Sequence, residues 1–193
     1  MKRIPMQYLV ALFASVVLLA MSAGVFAQAA SDNDKHFVEA ALKGGMSEVE
    51  LGKLAVQKGA SNDVRQFGQK MVDDHTQLGV KMKAVAGQIG VNPPSMTSAS
   101  GMALKGKLDV LSGDSFDKAY INAMVKDHED DLADFKTEIA SGSSPAVKTA
   151  ARQGETVVEH HLAMIRQIAQ AHNLSASFRK PNPCTLASVT AGR

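Results

Sequence analysis

Residues 61–90 read SNDVRQFGQKMVDDHTQLGVKMKAVAGQIG. After Ser61, apolar side chains recur at Val64, Phe67, Met71, Leu78, Met82, Val85 and Ile89, and the run stops at Gly90. Those steps put them on one stripe of an α-helix, where each residue turns by about 100°. One position on the stripe is polar: His75 lies one turn after Met71 and three residues before Leu78. The stretch predicts a long amphipathic helix with an imidazole aimed at the core.

Three further stretches carry the same period. One opens at Ser31, an N-cap residue followed by Asp32 and Asp34 in the first turn, and its stripe runs Phe37, Ala41, Gly44, Leu51 and Ala55 to an end near Gly59. Another begins around Asp114 or Ser115 and carries Phe116, Tyr120, Met124, Leu132, Phe135 and Ile139 before Ser141-Gly142-Ser143 stops it. The last starts at Ser144, an N-cap with Pro145 in the first helical position. It carries Val147, Ala150, Ala151, Val157, Val158, Leu162, Ile165 and Ile168, with Gly154 expected to loosen it midway, and fades near His172-Asn173.

Two of the connections are short. The third, from Asn92-Pro93-Pro94 onward, is long and holds one short predicted helix, Met102 to Leu111. The expected fold is all-α: a four-helix bundle of ferritin-like type with one long crossover between the second and third long helices. Met71-Val72-Asp73-Asp74-His75 is echoed by Met124-Val125-Lys126-Asp127-His128, as in two related helical hairpins.

The chain has 193 residues with 45% hydrophobic and 5% aromatic side chains, ten Met and no Trp, which suits helices better than a β-sandwich. Its N-terminus reads as an export signal. Lys2 and Arg3 precede an apolar run from Leu9 to Met21, and Val25-Phe26-Ala27 offers a small-x-small cleavage site. The expected organisation is a signal peptide over 1–27 cut between Ala27 and Gln28, a helical domain over 28–174, and a flexible tail over 175–193. The expected location is periplasmic or secreted.

Removing Lys2 and Arg3 lowers the cations from 21 to 19, equal to the 19 Asp and Glu. A neutral domain lacks the concentrated basic face that nucleic acid requires, so no nucleic-acid partner is expected. No later stretch approaches the ~20 apolar residues of a membrane span. A single cysteine, Cys184 in the tail, excludes an internal disulfide framework and a multi-cysteine zinc site, though it can join two subunits. A homo-oligomer or an envelope partner is compatible with the sequence, which specifies neither.

The polar interruptions of the stripes carry the chemistry. Glu48 fills the gap between Gly44 and Leu51; His128 stands one turn after Met124 and one before Leu132; His161 lies between Val157-Val158 and Ile165. With His75, each long helix aims one ligand-type residue inward. Glu48 and His75 lie about 11 and 15 residues from the first hairpin loop, a mismatch of roughly 6 Å along the axis at ~1.5 Å per residue. His128 and His161 lie about 14 and 18 residues from the second, again within roughly 6 Å. One shared mid-bundle site is therefore geometrically allowed. A buried carboxylate among imidazoles requires compensation, either by shared protons or by one transition-metal ion such as zinc, iron, manganese or copper. Asp74 and Asp127 each precede an imidazole and are candidate partners behind it, but they sit about 100° around the helix and read first as solvated helix-face residues. His36 and His172, near helix ends, and His160 beside the stripe read as solvent-facing.

Phe37 with Ser47-Glu48-Val49-Glu50-Leu51, Met71-Val72-Asp73-Asp74-His75, Phe116-Asp117-Lys118-Ala119-Tyr120 and His161-Leu162 resemble the exported bacterial family called domain of unknown function 4142. The resemblance spans about Asp32 to Asn173. It implies an exported, ferritin-like bundle and no established activity. Di-iron oxidase chemistry in such bundles uses Glu-x-x-His pairs, and Val72, Val125 and Val158 stand where those carboxylates belong. No catalytic motif appears. The sequence therefore supports an exported metal-binding or stress-associated bundle with Glu48, His75, His128 and His161 as ligands. A structural or interaction protein of the envelope, or a metal-dependent redox enzyme, are the competing classes.

Overall fold

A computed structural model describes residues 29–174; the predicted signal peptide and the predicted tail, with Cys184, lie outside the described residues. Those residues form five helices and no strand: α1 (Asp32–Lys58), α2 (Asn62–Gln88), α3 (Ala99–Asp109), α4 (Gly113–Ser141) and α5 (Pro145–Ala171). None is long and apolar enough to cross a membrane.

The helix ends follow from local chemistry. Ser31 and Asp34 form a reciprocal capping box at the start of α1, satisfying two amides that have no intrahelical partner. At α5, the Ser144 hydroxyl accepts from the Val147 amide while Pro145 occupies the first turn, where its missing N–H costs nothing. α5 runs unbroken through Gly154 instead of loosening there. The Phe135 ring of α4 lies against that glycine; a Cβ added to it would sit 2.1 Å from the Phe135 Cε1. Gly154 makes room for a ring and is not a hinge.

α1 packs chiefly on α2 and α4 on α5, and α2 meets α5 between the two hairpins. Two apolar clusters fill the interior. One contains Leu51, Phe67, Met71, Tyr120, Met124 and Ile165, and the other Val38, Leu42, Met82, Phe135, Ala151 and Val158. α2 runs from the first cluster to the second and α4 starts back at the first, so the connection carrying α3 returns along the molecule. α3 leans on α1, where Ser47 Oγ lies 3.0 Å from Ser98 Oγ. A Cβ on Gly101 would approach that Ser47 hydroxyl to 2.2 Å, so only glycine allows this approach.

Each hairpin is tied by the other. Asp117, in the first turns of α4, accepts from the Ala60 and Ser61 amides of the α1–α2 turn at 2.9 and 2.8 Å. Asp34 of α1 accepts from the Ser143 and Ser144 amides of the α4–α5 turn at 2.9 and 3.2 Å. Burial opposes the Asp34 charge, but hydrogen bonds from Ser31, Glu138 and the Ser144 backbone hold its carboxyl well below the usual range. Both carboxylates cross between hairpins and fix their pairing at opposite ends.

On α1 the buried stripe begins one residue later than the sequence pattern suggests. Val38 and Leu42 are buried, whereas Phe37 and Ala41 are half-buried. Phe37 turns sideways to meet Phe135 edge-on, with ring centroids 5.3 Å apart.

Candidate metal centre

The four polar residues of the stripes meet in one layer. On every long helix the inward residue falls between members of the two apolar clusters: Glu48 on α1, His75 on α2, His128 on α4 and His161 on α5. All four are buried, none exposing more than 3% of its surface. Phe67 closes the layer from below, its ring centroid 6.3 Å from that of His128 and 5.9 Å from that of His161.

The contacts form a chain. His75 Nδ1 lies 2.8 Å from Glu48 Oε2, and His75 Nε2 lies 3.2 Å from His161 Nδ1. His161 Nε2 lies 2.7 Å from Asp74 Oδ2, which also receives the Lys70 ammonium at 2.8 Å. His128 stands slightly apart. Its Nδ1 lies 3.0 Å from the Met124 carbonyl and its Nε2 3.7 Å from Glu48 Oε1. Both His128 Nε2 and Glu48 Oε1 are buried without a hydrogen-bond partner.

Burial sets the protonation states. It lowers His75 and His161 to about 4 and His128 to about 3, so all three imidazoles are neutral near pH 7. Burial also raises Glu48, and the neighbouring Asp127 charge adds to the rise. Asp131 of α4 is raised chiefly by burial, with the neighbouring Glu48 and Asp127 carboxyl groups adding to the rise. For Asp74 burial works upward, but hydrogen bonds from Lys70 and His161 outweigh it and keep the carboxyl ionised.

These states fix the tautomers. The Met124 carbonyl only accepts, so His128 Nδ1–H donates to it and Nε2 is left as a bare lone pair. Ionised Asp74 only accepts, so His161 donates from Nε2 and keeps Nδ1 bare. His75 then donates from Nε2 to His161 Nδ1, and the protonated Glu48 donates to His75 Nδ1. One unbroken line of donors runs from Glu48 to Asp74.

Two groups of these side chains could hold a metal ion. In His75, His128 and His161, and again in Glu48, Asp127 and His128, one ligand atom per residue lies within 4.8 Å of the others. The structure thus brings together all four residues singled out in the sequence. Asp74 departs from its reading as a solvated residue. It is half-buried and anchors His161, because α5 packs close enough for that imidazole to reach it across the α2–α5 contact. Asp131 was not singled out, although its place three residues after His128 put it on the same helix face. His36 and His160 are exposed, as expected, but His172 is half-buried and reaches Asp63 at 3.1 Å. Met71 and Met124 are fully buried in the first apolar cluster.

Comparison with known proteins gives family and fold. The family model described as "Domain of unknown function (DUF4142)" matches residues 20–168, so the chain belongs to that family. No curated protein matches it. Among solved structures it is similar to a DUF305 fragment from Deinococcus radiodurans, with a TM-score of 0.66 and 16% identity over 74% of this chain and 99% of that one. It is also similar to a DUF305 protein from Streptomyces coelicolor that is predicted to be secreted, with a TM-score of 0.61 and 16% identity over 73% of this chain and 94% of that one. At these identities the likeness is one of fold.

Proposed function

We propose that this member of the DUF4142 family is an exported, periplasmic metal-binding protein whose ferritin-like four-helix bundle holds one divalent first-row transition ion on His75, His128 and His161. The observation that carries the proposal is the anchoring of each imidazole. Glu48, Met124 O and Asp74 each occupy one ring nitrogen of His75, His128 and His161. The opposite nitrogens of His75 and His161, Nε2 and Nδ1, face each other, and a ring nitrogen of His128 lies within 4.8 Å of a ring nitrogen on each. A carbonyl or carboxylate behind each ligating imidazole is the arrangement by which proteins fix ring orientation and tautomer at metal sites. Nitrogens about 2.0–2.1 Å from a tetrahedral zinc lie about 3.3–3.4 Å apart. The His75–His161 separation of 3.2 Å already meets that spacing.

His75 must give up one proton for this role, because its Nε2–H now points at His161. Glu48 supplies the exchange: its proton passes to His75 Nδ1 as the Nε2 proton leaves. Glu48 becomes an ionised orienter of His75, with Oε1 near His128. Metal uptake therefore releases one proton, a form of the coupling general to protonated ligands.

Calorimetric titration of chelator-stripped protein with zinc, in buffers of different ionisation enthalpy, tests this. One equivalent bound with about one proton released is expected, and His128→Leu should abolish it. The absence of binding at pH 7.5 would refute the proposal. A second reading has its own support, since the 3.2 Å His75–His161 hydrogen bond is also what a purely structural polar network would contain. In that case the same titration shows no heat, and His128→Leu leaves the metal response of stability unchanged at zero.

A further inference from the structure

A cavity of about 490 Å³ opens beside the polar layer, within the range of roughly 300–1,000 Å³ that houses small organic ligands. Its walls are apolar: Phe37 from α1, Leu78 and Met82 from α2, Phe135 from α4 and Val158 from α5. Its floor is polar, formed by Glu48, His75 and Asp131. Glycines widen it. Gly44 and Gly79 line it from facing helices, and a Cβ added to either meets nothing within 4 Å. Val80, 66% exposed, and Lys83, also exposed, stand at the rim.

The floor selects the ligand. Two carboxyl groups share it, and among the described residues no lysine or arginine pairs with either; the ion pairs of Glu48 are with His75 and His128 alone. An organic anion could pair only with Lys83 at the rim, leaving its tail against buried carboxyl groups. A neutral apolar molecule would fill the walls and leave Glu48 Oε1, buried without a hydrogen-bond partner, still unpaired. A compact cation on an apolar body satisfies both: its ammonium donates to that oxygen, the Glu48 proton leaves to solvent, and the resulting buried carboxylate is stabilised by a paired, hydrogen-bonded charge.

We infer that this cavity binds a small amphiphilic amine, its apolar body between Phe37, Leu78 and Phe135 and its ammonium on Glu48 and Asp131. The inference does not rest on the metal reading. It is tested on protein held metal-free in chelator, so failure of metal uptake leaves it intact.

The experiment is calorimetric titration of the metal-free protein with octylamine, octanol and octanoate, chosen for equal chain length. Octylamine should bind at one per chain, octanol at least tenfold more weakly, and octanoate not measurably. Gly44→Leu and Gly79→Leu, both helical sites with open space for the side chain, should each abolish octylamine binding while retaining the helical circular dichroism signal. Asp131→Asn should narrow the preference for amine over alcohol. Octanol matching octylamine, octanoate binding best, no binding of any probe, or full binding by both folded leucine variants would overturn the inference.

Discussion

Asp74→Asn separates metal binding from mere structural hydrogen bonding. Asp74 Oδ2 lies 2.7 Å from His161 Nε2 and anchors that imidazole from the side opposite the ring nitrogen that faces His75. Asparagine keeps the size and a carbonyl oxygen, so the neutral His161 Nε2–H still finds an acceptor. What is lost is the charge on that bond and the half-exposed pair with Lys70, together about 1 kcal/mol of metal-free stability. Metal affinity should fall far more, because removing an anchoring partner behind a ligating imidazole weakens binding by about 10–100-fold. At a zinc concentration 100 times the wild-type Kd, wild-type protein gains about 2.7 kcal/mol of stability, and the variant should gain only about 0.4–1.4 kcal/mol. Urea denaturation with and without zinc reads both quantities. A variant that is less stable in chelator yet gains as much from zinc as wild type would refute the reasoning, because His161 would then not be a ligand anchored by Asp74.

Other substitutions test the frame. Gly154→Ala should destabilise by about 1–2 kcal/mol, since overpacking against Phe135 outweighs the helix-propensity gain; a stabilised variant in thermal denaturation would contradict that contact. Asp117→Ala should cost about 2–4 kcal/mol by orphaning the Ala60 and Ser61 amides, and urea unfolding within 0.5 kcal/mol (roughly, the range of neutral surface changes) of wild type would contradict the account of how the hairpins are joined. Metal-free stability should decline from pH 6.5 to about 8, and zinc should remove the part of the decline that belongs to Glu48 while leaving the part that belongs to Glu138. The sign follows from the folded-state shifts. Burial, with the Asp127 charge, raises Glu48, and burial with Asp34 raises Glu138 to about 7. Their stabilisation is complete below the unfolded value of 4.5 and is lost as pH rises through the folded values. The depressed imidazoles act oppositely, lowering stability only as pH falls below 6.5. A pH series of urea midpoints that stays level or climbs above pH 6.5 would contradict these assignments.

Much of this was legible in the sequence because helices announce themselves locally. Ser31, Ser144-Pro145 and Gly59 mark ends through caps that act within one turn, and the stripes through Met71 and Met124 show which face is buried. Axial heights are also local, since they depend only on rise per residue and loop position; Glu48 and His75 do meet, at 2.8 Å. What was hidden depends on neighbouring helices. Asp74 lies about 100° around α2 from His75, a solvated angle on an isolated helix, but α5 packs there and brings His161 to it. Gly154 reads as a weak point until Phe135 is seen against it. Phe37 and Val38 are both apolar, and only the edge-on contact with Phe135 decides which faces sideways. The linking roles of Asp34 and Asp117 were equally invisible, because each caps a turn more than 50 residues away.

The most direct test of the metal centre is elemental analysis of protein purified without chelator or affinity tag, beside a His75→Leu, His128→Leu double variant prepared in the same way. The account predicts close to one equivalent of a divalent first-row transition ion per chain, absent from the variant. A wild-type protein without bound metal, whose stability does not respond to added zinc, copper, iron or manganese, would contradict it and leave Glu48, His75, His128 and His161 as a hydrogen-bonded layer of a helical scaffold.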